Sequence, residues 1–127
     1  MNKQKISDTV RHLVGMLVAG DYAGLEAISR GRRLTAEQLR EAWEEYGGDL
    51  RLPGVPAREL RMPQESVFET FDEDNLWVIE LARPRSWAVL VPIWTVEEGR
   101  SDLTLEVVLT DTGGEQYDIE IASLHVM

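Results

Sequence analysis

Residues 86–110 read SWAVLVPIWTVEEGRSDLTLEVVLT. In the second part of this stretch Leu103, Leu105, Val107 and Leu109 alternate with Thr104, Glu106 and Thr110. A period of two with one apolar side is the mark of a strand that buries one face. The first part, SWAVLVPIWT, is apolar almost throughout, and only VEEGRSD separates the two. Strands joined by so short a segment pair antiparallel. Pro92 has no N–H for a ladder bond, so the strand carrying it is expected to have a free edge or a kink there. Working outward, QYDIEIASLHV (116–126) puts Tyr117, Ile119 and Ile121 on one face against Asp118 and Glu120. Its register slips near Ala122–Ser123, where a bulge is expected. Upstream, LWVIELA (76–82) and VFETF (67–71) read as two more strands, with DEDN, RPRS and DTGGE as connections.

The period changes before residue 64. Ile6, Val10, Leu13, Val14, Leu17 and Val18 recur at helical steps, predicting a helix from a Ser7 or Asp8 cap to about Ala19. Gly20 stops it, and Asp21 caps a second helix bearing Tyr22, Leu25 and Ile28. Thr35 and Gln38 have capping-box spacing, with Leu34 and Leu39 placed as a hydrophobic staple, so a third helix runs to Gly47-Gly48. Residues 47–63 are rich in proline and glycine and predict either a short helix around Ala57–Leu60 or an ordered loop. The chain therefore reads as one α+β domain over 1–127. Its helical layer is 1–46, its loop 47–63 and its sheet half 64–127, with three helices packed on a five-stranded, curved, mainly antiparallel sheet.

Composition narrows the function classes. With 127 residues and 43% apolar content the chain can build one core. Cysteine is absent, which removes disulfides, thiolate metal sites and cysteine nucleophiles and fits a reducing compartment. Arg11 and His12 interrupt the N-terminal apolar stretch, so it reads as a helix rather than a signal peptide, and a cytoplasmic location is expected. The net charge of −10 is uneven. Residues 1–63 hold ten Lys/Arg and nine Asp/Glu, whereas residues 64–127 hold three and fourteen. An acidic sheet half repels phosphate backbones, so nucleic acid is not an expected partner. No stretch approaches the ~18 consecutive apolar residues of a membrane span, so a membrane is not expected either. It attracts a basic protein.

Several residues stand out, each with an ordinary alternative. Glu97, Glu98, Arg100 and Asp102 crowd one turn, but Arg100 works against a cation site there. The turn is expected to brace itself, with Asp or Ser bonding the loop backbone and Arg100 pairing locally. His12 and His125 lack a placed nucleophile or metal partner. Trp43, Trp77, Trp87 and Trp94, with His125, are candidate walls of a pocket between helices and sheet, or plain core. Arg30, Arg32 and Arg33 flank the third helix and are expected to pair with the protein's own acids rather than an anion. Glu69, Glu80, Glu106, Asp118 and Glu120 are outward positions on predicted strands, and on one face they would make an acidic plate for a basic partner. No P-loop, G-x-G-x-x-G, H-E-x-x-H, G-x-S-x-G or EF-hand pattern occurs, so no catalytic residue, metal ligand or cofactor is assigned.

The segments LVAGDYAGLEAI (17–28) and RRLTAEQLREAWEEYG (32–47) resemble the start of NTF2-like (cystatin-like cone) domains, where a Gly-Asp-aromatic junction joins the first two helices. The segments IWTVEEGRSDLTLEVVL (93–109) and YDIEIASLHVM (117–127) resemble a family of small bacterial proteins that end in a similar strand and His-Val. The first resemblance implies a cone-shaped α+β fold with a ligand pocket between its layers. The leading expectation is a non-catalytic protein that engages a basic partner through an acidic sheet face, as an immunity-type inhibitor or adaptor would. The other expectation is a pocket domain that binds or isomerises a small apolar molecule. Oligomeric state is left open.

Overall fold

The computed structural model describes residues 1–48 and 58–126. Helix α1 spans Lys3–Val18, α2 Tyr22–Ser29 and α3 Ala36–Trp43, followed by a wide turn through Glu44–Gly48. Strand β1 is Leu60–Arg61, helix α4 Glu65–Glu69, β2 Trp77–Glu80, β3 Ser86–Thr95, β4 Gly99–Thr110 and β5 Asp118–Val126.

The starts of α1, α2 and α3 each have a local cause. Asn2, not Ser7 or Asp8, caps α1 by accepting the Lys5 N–H at 3.0 Å. Ser7 is instead buried inside the helix, where its hydroxyl donates to the Phe68 carbonyl at 2.7 Å. Asp21 accepts the Gly24 N–H at 2.9 Å and so caps α2. At α3 the capping box is complete: Thr35 Oγ1 accepts the Gln38 N–H, and Gln38 Oε1 accepts the Thr35 N–H.

Strand β3 is central. All its pairs are antiparallel, with β4 along one side and β2 and β1 in line along the other. Strand β5 completes the far side of β4. Pro92 lies between the β3 residues that pair with β2 (87–90) and with β1 (94–95), so no donor is required of it on that side. The register with β4 shifts between Pro92 and Trp94, so the kink is present, and residues 91–93 pair with neither β2 nor β1, which leaves a short free edge at Pro92. The bulge expected in the last strand is also there: Ser123 pairs with Glu106 and Ile121 with Val107, which leaves Ala122 over.

Two expectations are corrected. VFETF is not a strand but overlaps α4, because adjacent Val67 and Phe68 both enter the core while Glu65, Ser66 and Glu69 face out. A strand would have sent Val67 and Phe68 to opposite faces. The fifth strand is supplied by Leu60–Arg61, which is extended and pairs with Thr95 and Trp94 rather than forming a short helix. Ala57, the other end of that expected helix, lies outside the described residues.

One core joins the layers. Ile6, Val10, Leu13 and Leu17 of α1, with Leu25, Leu39 and Phe68, meet Val89, Val91, Leu105, Val107, Leu109 and Ile121 of the sheet. Each such side chain contributes about 1.5–3 kcal/mol on burial. That exceeds the differences in intrinsic helix propensity, so packing decides the helix positions. Among the described residues no helix is long and apolar enough to cross a membrane.

Candidate functional site: the outer sheet face and its margins

The register sorts side chains between two faces. Leu103, Leu105, Val107 and Leu109 turn to the helices, so Thr104, Glu106, Val108 and Thr110 turn away from them. Their partners share that outer face: Ser86, Ala88, Leu90 and Pro92 on β3, and Asp118, Glu120, Ser123 and His125 on β5. Trp77 and Ile79 of β2 join them opposite Leu90 and Ala88. Ala88 and Val108 are buried yet stand apart from the core cluster, as a second, outer apolar layer requires. Trp77 and Ile79 are 36% and 37% exposed. Beside them a shallow groove of about 220 Å³ is lined by Glu73, Asp74, Trp77, Leu90, Pro92, Arg100 and Thr104. A second groove continues from Pro92, Arg100 and Thr104 to Asp102.

The five acids expected to form one plate are divided. Glu69 lies on α4 and so has no strand face. Glu80 pairs with Trp87, whose other partner is the core residue Leu109, so it sits at the β2 margin of the inner face. Glu106, Asp118 and Glu120 do share the outer face, but two of them are engaged. Arg32 grips Asp118 with two hydrogen bonds of 2.9 and 2.8 Å and donates a third, 2.7 Å, to the Ile119 carbonyl. Glu120 lies 3.9 Å from Arg32 and 3.3 Å from Arg83. The Arg32 hydrogen bonds hold the Asp118 carboxyl below its usual range, with help from the charges of Arg32, Arg30 and Arg83. The basic knot thus meets the protein's own acidic half through Arg32.

The turn at Glu97–Asp102 is braced by Ser101, which bonds the backbone as expected, and also by two glutamates. Glu98 accepts hydrogen bonds from the Tyr46 hydroxyl at 2.8 Å and from Thr95 Oγ1 at 3.1 Å, and it pairs with Arg58 Nε at 3.2 Å. Glu97 accepts the Glu59 N–H at 2.8 Å. Arg58 also donates to the Tyr46 carbonyl at 2.8 Å and lies over the Tyr46 ring. Gly47 adopts φ 135° beneath that guanidinium, in the space a Cβ would need. The cluster latches the end of the helical layer to the chain entering β1 and to the β3–β4 turn. Burial, then the Glu98 carboxylate, pushes the Tyr46 hydroxyl up from its ordinary pKa. Arg100 pairs outside its own turn, 3.8 Å from Asp74. Ser101 Oγ donates across the kink to the Ile93 carbonyl at 2.7 Å. Among the described residues no three His, Cys, Asp or Glu side chains converge as metal ligands.

The tryptophans do not line one space. Trp43 is buried on α3 with its ring centroid 6.1 Å from that of Tyr46. Trp77 is on the outer face. Trp87 meets Tyr117 edge-on at 6.1 Å and lines a cleft of about 450 Å³ with Met1, Lys3, Phe71, Val78 and Glu80. Trp94 lies under the Arg61 guanidinium, and its buried Nε1 has no described partner. His125 accepts or donates through Nδ1 at 2.8 Å from Ser123 Oγ and lines a separate cleft of about 420 Å³ with Tyr46 and Leu124. His12 is exposed.

Sequence reasoning missed Phe71, Val78 and Ile79 as surface residues of interest. For Val78 and Ile79 the signal was present in LWVIELA, which carries apolar side chains on both faces although the segment is short. A central strand reads that way, and so does an edge strand with an uncovered apolar side.

A family model described as a domain of unknown function, DUF7668, matches residues 14–127. No curated protein matches the chain. No solved structure matches it either.

Proposed function

Since the chain belongs to the DUF7668 family, whose description names no chemistry, we propose from its surface that it is a non-catalytic binding protein. It engages a basic protein partner through the outer face of its sheet, as an immunity-type or adaptor protein does. The observation that carries this reading is the exposed pair Trp77 and Ile79, set over the apolar outer layer and bordered by Glu73, Asp74, Asp102 and Glu106. Interfaces draw their affinity from a few aromatic and aliphatic anchors at the centre. Charge at the rim steers encounter and selects the partner's sign. The fourteen acids of residues 64–127 against three arginines set that sign as basic.

The test is binding of a panel of basic proteins at low and high salt, with Glu106→Lys and Trp77→Ala as variants. Asp118 and Glu120 stay intact because they hold Arg32 and Arg83. Trp77→Ala lowers affinity about tenfold at any salt, whereas Glu106→Lys acts mainly at low salt. Affinity that ignores both salt and the two substitutions removes the reading.

A pocket reading has its own support in the cleft of about 450 Å³ walled by Phe71, Val78 and Trp87. It lies at one end of the space between helices and sheet, where the resemblance to NTF2-like domains puts a ligand. An apolar fluorescent probe that binds there, and is displaced by Phe71→Ala, favours this second reading.

A further inference from the structure

The backbone of β2 is half used. Leu81 donates its N–H to the Ser86 carbonyl at 3.0 Å, so residues 81 and 86 form a hydrogen-bonded antiparallel pair. Such pairs recur every second residue, which makes Ile79↔Ala88 and Trp77↔Leu90 the next two. Trp77, Ile79 and Leu81 therefore spend their backbone groups on β3, and Val78 and Glu80 turn theirs to the open side. Among the described residues nothing bonds to them there. The cleft of about 450 Å³ lies along the same strand on the inner side, lined by Met1, Lys3, Phe71, Val78, Glu80 and Trp87. On the outer side stand the exposed Trp77 and Ile79.

Resting on the reading of a basic partner given above, we propose that this partner binds as an extended segment added to the free edge of β2. Its main chain exchanges hydrogen bonds with Val78 and Glu80. Its side chains alternate, as in any strand. One set enters the cleft, where Val78 and Trp87 give an apolar floor, Lys3 lies over the Phe71 ring at 5.2 Å and is displaced from it, and Glu80 meets an arginine or lysine. The other set lies beside Trp77 and Ile79. Strand addition of this kind takes affinity from backbone bonds and specificity from pockets for alternate side chains. Natural sheets guard an edge with proline, lysine, a bulge, a very short strand or an inward-pointing charge. The four-residue β2, Trp-Val-Ile-Glu, has the last two, its shortness and the inward Glu80. It has no proline, lysine or bulge that would remove or deflect the open backbone groups of Val78 and Glu80. A second copy of this chain is disfavoured as the occupant, because each copy carries a net charge of −10 and would bring its own Glu80 to the contact.

The probe is a short synthetic peptide alternating valine and arginine, with an N-methylated version that lacks the edge-facing donors. Amide hydrogen exchange and chemical shifts of the ¹⁵N-labelled protein give the readout. The expected result is slowed exchange at Val78 and Glu80, loss of binding with the methylated peptide and about a tenfold weaker affinity for Glu80→Pro. Glu80→Gln keeps the backbone donor and weakens binding only about twofold to threefold. Its chemical shifts also establish a folded reference if Glu80→Pro fails to fold, and the methylated peptide then carries the test alone. If the peptide binds and shifts Trp77, Ile79 and Glu106 while the Val78 and Glu80 amides exchange as before, strand addition is overturned and the basic-partner reading stands. If those amides are protected with no dependence on salt or on arginine in the probe, the edge stands and the basic-partner reading falls. No binding at millimolar peptide, or protection of β2 by self-association without peptide, overturns the proposal.

Discussion

At the β5 edge Arg32 holds both the Asp118 carboxylate and the outward Ile119 carbonyl, and helices α2 and α3 pack against the strand. At the β2 edge Val78 and Glu80 turn their backbone groups outward, and Trp77 and Ile79 remain exposed. Both strands alternate, and both hang on a long central neighbour. The difference is what comes from outside the sheet. A loop arginine and two helices finish one edge, and among the described residues no packed element finishes the other. An edge with free backbone groups invites pairing with another chain, and at β2 only the shortness of the strand and the inward Glu80 stand against it. The same protein that closes β5 leaves β2 open, and this contrast directs the functional reading toward the β2 side.

The contrast is broken most forcefully in the interior. Ile121 on the inner face of β5 is fully buried. Ile121→Ala is expected to cost about 3 kcal/mol, within the range for deleting a buried aliphatic side chain. Urea unfolding followed by tryptophan fluorescence measures it. A cost below about 1 kcal/mol would mean that the β5 side is not the well-packed edge of the two.

Arg32→Ala sharpens the comparison at the next scale. Its guanidinium and the Asp118 carboxylate are 34% and 26% exposed, so solvent screens the pair and the expected loss is about 1 kcal/mol near pH 7. The pH dependence has a definite sign. Asp118 has a folded pKa below its unfolded value, so its contribution is complete above the unfolded carboxylate value of about 3.9. It is lost as pH falls through the lower, folded value. Wild type and Arg32→Ala should therefore differ by a constant amount from pH 7 down to about pH 5 and converge below about pH 4. A gap that persists unchanged in strong acid would assign the effect to the Ile119 carbonyl alone.

How much of this was legible before the structure depends on how local each cause is. The capping box at Thr35 and Gln38, the Ala122 bulge and the β4 alternation are fixed by neighbours in sequence, and pattern alone found them. VFETF misled because Val67, Phe68 and Phe71 satisfy strand propensity, while the decision lay with α1. Ser7 takes the Phe68 carbonyl, and both Val67 and Phe68 turn to one side. Leu60–Arg61 could not be read as a strand from two residues whose only support is Thr95 and Trp94, more than thirty positions away. The acidic plate failed in part for the same reason. Alternation gives outward and inward within a strand, but the loss of Glu80 to the other face depended on the β2–β3 register. The engagement of Asp118 depended on Arg32, 86 residues earlier.

The smallest expected effect isolates the open edge. Ile79→Thr keeps the β-branch that favours a strand and replaces the ethyl arm of an outer-face side chain that is 37% exposed with a hydroxyl. Stability should change by no more than about 0.5 kcal/mol, the range of surface substitutions away from caps and buried pairs. The same substitution removes apolar surface from the strip on which the partner is proposed to lie, so affinity for a basic probe should fall while the unfolding midpoint holds. Where a side chain serves folding, the two quantities move together; where it serves an interface, they separate. If Ile79→Thr lowers stability as steeply as a core substitution does, the β2 side is already covered within the folded chain. The two edges would then be finished alike, and the outer face would lose its claim as the docking surface.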